Sequence, residues 1–175
     1  MQFTLLELCG GIRAILSNHS ATDGANELCD LVSKALTDKD FIDTHLPDRK
    51  VGEHPRKILY EDPAIGFCVC GHVYDSAAIG EPHDHGTGWA LYGQAVGNTE
   101  MTEWEIVNSE NLISPKKLVR PEKTYVMHPG DTEFYNIGVV HSPKRVSPTK
   151  IIRIESQNLD HVVRSNIEAV SKSVN

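Results

Sequence analysis

"GEPHDHGTGWALYGQAVGN", Gly80 to Asn98, joins two textures of sequence. It begins with a proline, several glycines and two histidines, His83 and His85, and ends as an apolar run. Side chains of an extended chain alternate between faces, so residues i and i+2 point the same way, about 6.5–7 Å apart along the chain. Both imidazoles can therefore aim into the mouth of a barrel and share one metal ion. A divalent ion bound by nitrogen needs at least a third ligand. His141, in "NIGVVHSPKR", also stands at the end of an apolar run and is the candidate; His128, in "VMHPGD", is its rival.

The surrounding sequence supports a barrel. Beyond Arg56, short runs rich in Val, Ile, Tyr and Phe recur about every 10 residues, separated by Pro, Gly, Asn and Asp, which is the rhythm of an all-β barrel or sandwich. Strands are predicted at Lys57–Glu61, Gly66–Tyr74, Trp89–Val96, Met101–Val107, Leu118–Val119, Thr124–His128, Glu133–Ile137, Val139–Arg145 and Lys150–Glu155. Upstream, Leu28, Leu31, Val32, Ala35 and Leu36 recur at helical intervals after a Ser20-x-x-Asp23 start signal. Residues 1–50 thus read as a helical segment packed on a barrel of residues 51–160. Gly10-Gly11 weakens its first helix, and Pro47 ends its last. Residues 161–175 read as a C-terminal arm, either helical or extended.

Charge and composition narrow the partners. The 175-residue chain carries a formal net charge of -7, whereas nucleic-acid binding needs clustered Lys and Arg. No apolar run approaches the roughly 20 residues that cross a bilayer, and Met1-Gln2-Phe3-Thr4 lacks the basic start of a signal peptide. A soluble, cytoplasmic protein that binds a small molecule is expected, with no nucleic-acid or membrane partner. Long β edges need covering, which makes a homodimer the expected assembly. Cys9, Cys29, Cys68 and Cys70 are too few and too irregular for a disulfide scaffold. Cys68-x-Cys70-x-His72 shares one strand face, but with no second ligand pair nearby it reads as buried thiols rather than a metal site.

With these residues in view, Gly80–His85 resembles the first motif of the cupin superfamily, in which His-x-His opens a strand of a double-stranded β-helix. "HPGDTEFYNIGVVHSP" resembles the second motif: Pro129-Gly130 make the turn and His141 stands at the last ligand position. The resemblance spans roughly Arg56 to Ser156. It implies a mainly β fold, a cupin jelly-roll barrel with N-terminal helices, and a metal held by His83, His85 and His141. The glutamate ligand usual in cupins is replaced here by Trp89 and Ala90, which cannot bind metal.

Three neutral imidazoles leave a divalent ion its full charge and open positions, favouring an anionic substrate and, on Fe(II), dioxygen. Within the superfamily this is similar to the thiol dioxygenase (cysteine dioxygenase) branch. "PHDHGTGW" resembles that branch's first motif with one glycine inserted, and Arg56 lies at about the interval of its carboxylate-clamping arginine. The implied activity is an Fe(II) dioxygenase acting on a small anionic substrate and dioxygen. Zn, Ni or Mn would instead imply hydrolysis, isomerisation or carbon–carbon cleavage, and a ligand-binding protein without turnover is a third reading. Tyr92, or Tyr135, is expected to supply a hydroxyl to the site. The branch's late Ser-x-His-x-Tyr run is replaced by Ile151-Ile152-Arg153-Ile154-Glu155, in which Arg153 and Glu155 form a different polar arrangement or a simple ion pair.

Overall fold

A computed structural model describes residues 3–108 and 116–170. Three helices come first: α1 (Leu5–Asn18), α2 (Ala25–Leu36) and α3 (Lys39–His45). Ten strands follow: β1 (Arg56–Glu61), β2 (Cys68–Tyr74), β3 (Ala78–Ile79), β4 (Ala90–Val96), β5 (Thr99–Ile106), β6 (Lys116–Met127), β7 (Thr132–Tyr135), β8 (Val140–Arg145), β9 (Thr149–Glu155) and β10 (Asn166–Ala169). They form two five-stranded sheets, ordered β1-β2-β9-β4-β7 and β10-β6-β5-β8-β3. After the β1-β2 hairpin the chain passes back and forth between the two sheets, staying in one sheet only at the β5-β6 hairpin, the winding of a double-stranded β-helix.

Sheet β1-β2-β9-β4-β7 is covered on both faces, and its sequence shows it. Leu91 and Ala95 of β4, with Ile152 and Ile154 of β9, pack into one core with Leu8 and Ile12 of α1 and Leu28, Val32 and Leu36 of α2. The alternate residues Ala90, Tyr92 and Ile151 turn inward to a second core with Met101, Met127 and Tyr135. A strand buried on both faces reads as a continuous apolar run rather than an alternating one. Gly93 lets α2 lie close, since a Cβ there would stand 2.7 Å from Val32 Cγ1 and 2.9 Å from Leu36 Cδ1.

The structure refines several expectations and corrects others. The first helix runs unbroken through Gly10-Gly11, started by a capping box in which Thr4 and Glu7 satisfy each other's backbone N–H. The side chain of Ser20 does bond Asp23, but in the turn before α2, which begins at Ala25 after an uncapped Gly24. The segments predicted at Leu118–Val119 and Thr124–His128 are one long strand, β6. Its Pro121 is tolerated because β10 pairs only with Lys116–Val119, and the pairing with β5 slips at Glu103/Trp104 opposite it. A bulge without a neighbour on the other side is where a strand can accept a missing N–H. The arm is extended: after one turn of 3-10 helix at Leu159–His161, β10 pairs parallel with β6. Residues 171–175 of the arm lie outside the described residues. No described helix is long and apolar enough to cross a membrane.

The two kinds of glycine give a test of this packing. Gly10 faces open space, so Gly10→Ala is expected to raise stability by about 0.5–1 kcal/mol through helix propensity. Gly93→Val is expected to lower it by about 1–3 kcal/mol by overpacking against α2. Urea unfolding of the two variants checks both signs.

Candidate metal centre

The two motifs meet through their backbones. His83 and His141 form a two-way bridge, each N–H donating to the other's carbonyl at 3.0 Å. His83 and His85 lie on the extended segment before β4, as the predicted strand start at Trp89 implies, and a turn closes behind them with Gly88 N–H donating to the His85 carbonyl. Alternation still holds there, because Asp84 points away from its neighbours. Its buried carboxylate accepts from Gly86 N–H at 3.0 Å, Ser165 N–H at 3.1 Å and Lys117 Nζ at 2.9 Å. Asp84 therefore ties the histidine segment to β6 and to the arm, a positioning role the sequence reading did not identify.

One ring nitrogen from each of His83, His85 and His141 lies within 4.8 Å of the others. At metal–nitrogen bonds of about 2.0–2.1 Å, small ring rotations bring such a set onto one ion. His83 Nδ1 faces the Glu81 carbonyl at 2.8 Å, a contact that makes Nδ1 the protonated nitrogen and leaves Nε2 with its lone pair. Burial pushes His83 down to about 4 and His85 down to about 2. His141 is held well below its ordinary value by burial and then by the other two histidines. The rings are therefore neutral near pH 7, the state that ligates metal. The residues fit a three-histidine metal centre. Among the described residues this is the cluster of metal-ligand type; His128 is exposed, facing Asn98 at 3.2 Å.

Around the cluster, Tyr92 and Tyr135 have different places. The Tyr92 hydroxyl lies 3.4 Å from Nε2 of both His85 and His141. Tyr135 stacks on His141 with ring centroids 4.0 Å apart, and its hydroxyl bonds that of Tyr125 at 2.7 Å rather than facing the cluster. Trp89 packs against Phe134, and Ala90 lines the inner core. Cys68 and Cys70 are buried, unpaired thiols pushed up by burial to about 11 and about 12.

Arg153 and Glu155 form a relay rather than an isolated pair. Glu155 is fully buried, accepting from Arg153 Nε at 2.7 Å, Arg56 Nη2 at 2.8 Å and Leu159 N–H at 3.2 Å. Burial alone would raise its carboxyl, but Arg153 and Arg56 outweigh burial and hold it below the usual range. Arg153 in turn donates from Nη1 to the Tyr92 hydroxyl at 3.1 Å. Arg56 stands in the wall of the adjoining cavity, yet its nitrogens already donate to Glu155, Asn158 and Asp160.

That cavity, about 290 Å³, opens beside His83 and Tyr92 and is lined by His72, Tyr74, Arg145 and Arg153 among others. His72 is buried and held well below its ordinary value, first by burial and then by the charges of Arg153, Arg56 and Arg145. The unfolded chain protonates this histidine below about pH 6.5 whereas the fold does not, so stability full above that pH is lost as pH falls. Below pH 6.5 the wild-type protein is expected to lose stability more steeply than His72→Gln, the difference in slope growing toward about 1.4 kcal/mol per pH unit near pH 5. Equal slopes in urea titrations would show that the fold accepts the proton.

Cluster membership is checked separately. His83→Ala and His141→Ala are each expected to lower bound metal by tenfold or more under matched loading, read by elemental analysis; unchanged content in both would remove the site.

No protein-family model and no curated protein matches the chain. Among solved structures it is similar to KdgF from Halomonas sp., at 19% identity and a TM-score of 0.44 over 61% of this chain and 83% of that one. An uncharacterized conserved protein with a double-stranded β-helix domain from Klebsiella pneumoniae aligns at 14% identity and 0.49, over 73% and 88%. A cupin superfamily protein from Desulfitobacterium hafniense aligns at 9% identity and 0.43, over 61% and 80%.

Proposed function

We propose that the protein is a mononuclear metal enzyme whose three histidines hold Fe(II) for dioxygenation of a small anionic substrate. The observation that carries this is the composition of the cluster: three neutral imidazoles with no carboxylate among them, at the edge of a cavity lined with arginines. When bound, a divalent ion with only neutral protein ligands retains its positive charge and open positions, so it lowers the pKa of an anionic ligand and can also bind dioxygen.

The chain's own residues supply the remainder. Tyr92, 4% exposed, presents its hydroxyl to the cluster and accepts a hydrogen bond from Arg153, which leaves its own proton free to be directed toward a bound group. Glu155 fixes Arg153 and so fixes that orientation. The inner core of Ala90, Met101, Met127 and Ile151 keeps water from approaching behind Tyr92. A dry, preorganised hydroxyl of this kind costs little reorganisation during reaction.

The test is oxygen consumption by anaerobically prepared, Fe(II)-loaded protein offered cysteine, 3-mercaptopropionate or a β-diketone. Uptake that requires both iron and one of these substrates is the expected result, and Tyr92→Phe is expected to lower its rate by 10²-fold or more. Stoichiometric metal with no uptake for any of them would sink the dioxygenase reading and favour a non-redox enzyme on Zn, Ni or Mn.

A further inference from the structure

The cavity beside the cluster carries more positive charge than its acids neutralise. Arg56 and Arg153 share Glu155, and Arg56 also holds Asp160. Arg145 and Arg164 line the same cavity, and neither has a carboxylate within ion-pair distance among the described residues. Arg164 is exposed, where water solvates it. Arg145 is only 6% exposed, and its Nε is buried with no hydrogen-bond partner.

What surrounds Arg145 favours a planar anion. Its guanidinium stacks 4.0 Å from the ring centroid of Tyr74, which fixes its plane while leaving its edge, where the N–H groups are, unused. The Tyr74 hydroxyl lies 3.2 Å from His72 Nδ1. When that hydroxyl donates, the imidazole carries its proton on Nε2, and this atom too is buried without a partner. Two buried donors, both next to Tyr74 and both lining one cavity, are therefore unsatisfied together. Buried donors are rarely left so, and a guanidinium edge matches a carboxylate with two parallel bonds.

We propose that Arg145, assisted by His72 Nε2, forms an anion subsite that binds the carboxylate of a small ligand beside His83. Arg56 then has a different part from the clamp suggested by its sequence position: it secures Glu155. The ligand class is a short carboxylate whose other end reaches the histidine cluster, since His83 lines the same space. That this ligand is the substrate rests on the function proposed above; the subsite itself does not.

Malonate binding by isothermal titration calorimetry, at constant ionic strength, tests it on the full chain both metal-free and metal-loaded. The wild-type protein is expected to bind malonate saturably in both forms. Arg145→Gln is expected to weaken binding tenfold or more, Arg145→Lys to an intermediate extent, and Arg120→Gln, far from the cavity and paired with Glu105, not at all. No wild-type binding, or binding unchanged in Arg145→Gln, would overturn the subsite. Should the Arg145 variants fail to fold, butanedione labelling of the wild-type protein decides: malonate slows modification of Arg145 if the subsite exists, and equal rates reject it. Malonate binding that depends on Arg145, together with absent oxygen uptake, would keep the subsite and discard the dioxygenase.

Discussion

The buried carboxylate of Glu155 is the constraint around which the site is arranged. An ionised group with no exposure is costly unless it is paired and hydrogen-bonded, and here it takes two arginines and a backbone N–H. Those partners come from β1, from β9 itself and from the turn after β9. One charge therefore joins a sheet edge, a central strand and the start of the arm. Its second effect reaches the cluster, because Arg153 is fixed in place and holds the Tyr92 hydroxyl between His85 and His141. Removing one partner from such a network typically costs about 3–5 kcal/mol, so orientation of Tyr92 and stability of the barrel end are linked.

Sheet β1-β2-β9-β4-β7 separates these tasks by strand alternation. On β9, Ile152 and Ile154 pack toward the helices, while Ile151, Arg153 and Glu155 face the interior. On β4, Leu91 and Ala95 face the helices and Tyr92 faces the cluster. The helices thus bury the back of the sheet, and the polar network needs only one face. A strand slip of a single residue would exchange the two sets, placing charges against α2 and isoleucines at the cavity. Packing of the helical segment therefore fixes the register on which the site depends.

Much of this was legible in the sequence. The spacing of His83 and His85 survived even though they precede the strand, because alternation requires an extended chain and not a ladder. The bridge between His83 and His141 was not legible, since it joins positions 58 residues apart through backbone atoms that no side-chain pattern reports. Asp84 was overlooked for the same reason: a carboxylate between two histidines looks solvated until the arm and Lys117 are seen to meet it. Leu118–Val119 and Thr124–His128 read as two strands, whereas Pro121 between them sits at a bulge that one continuous strand tolerates. Arg56 read as a carboxylate clamp, and its partners in the fold, Glu155 and Asp160, lie about a hundred residues away in sequence, where no local pattern reports them. Arg145 carried no sequence signal, because what distinguishes it is the lack of a partner, and that is visible only once every neighbour is in place.

The charge distribution follows from the same arrangement. Across the whole chain acids outnumber bases, with a net charge of -7, so the molecule as a whole repels anions. Inside one cavity the balance is reversed, since Glu155 neutralises only part of what Arg56, Arg153 and Arg145 bring. Low-dielectric walls strengthen that local field while salt screens the distant acids, which act over little more than the roughly 8 Å Debye length at physiological ionic strength. An anion close to the opening therefore experiences the arginines more than the net charge. The sign of the field at the opening is therefore set by where charges are buried, and a residue count alone would have assigned the opposite sign.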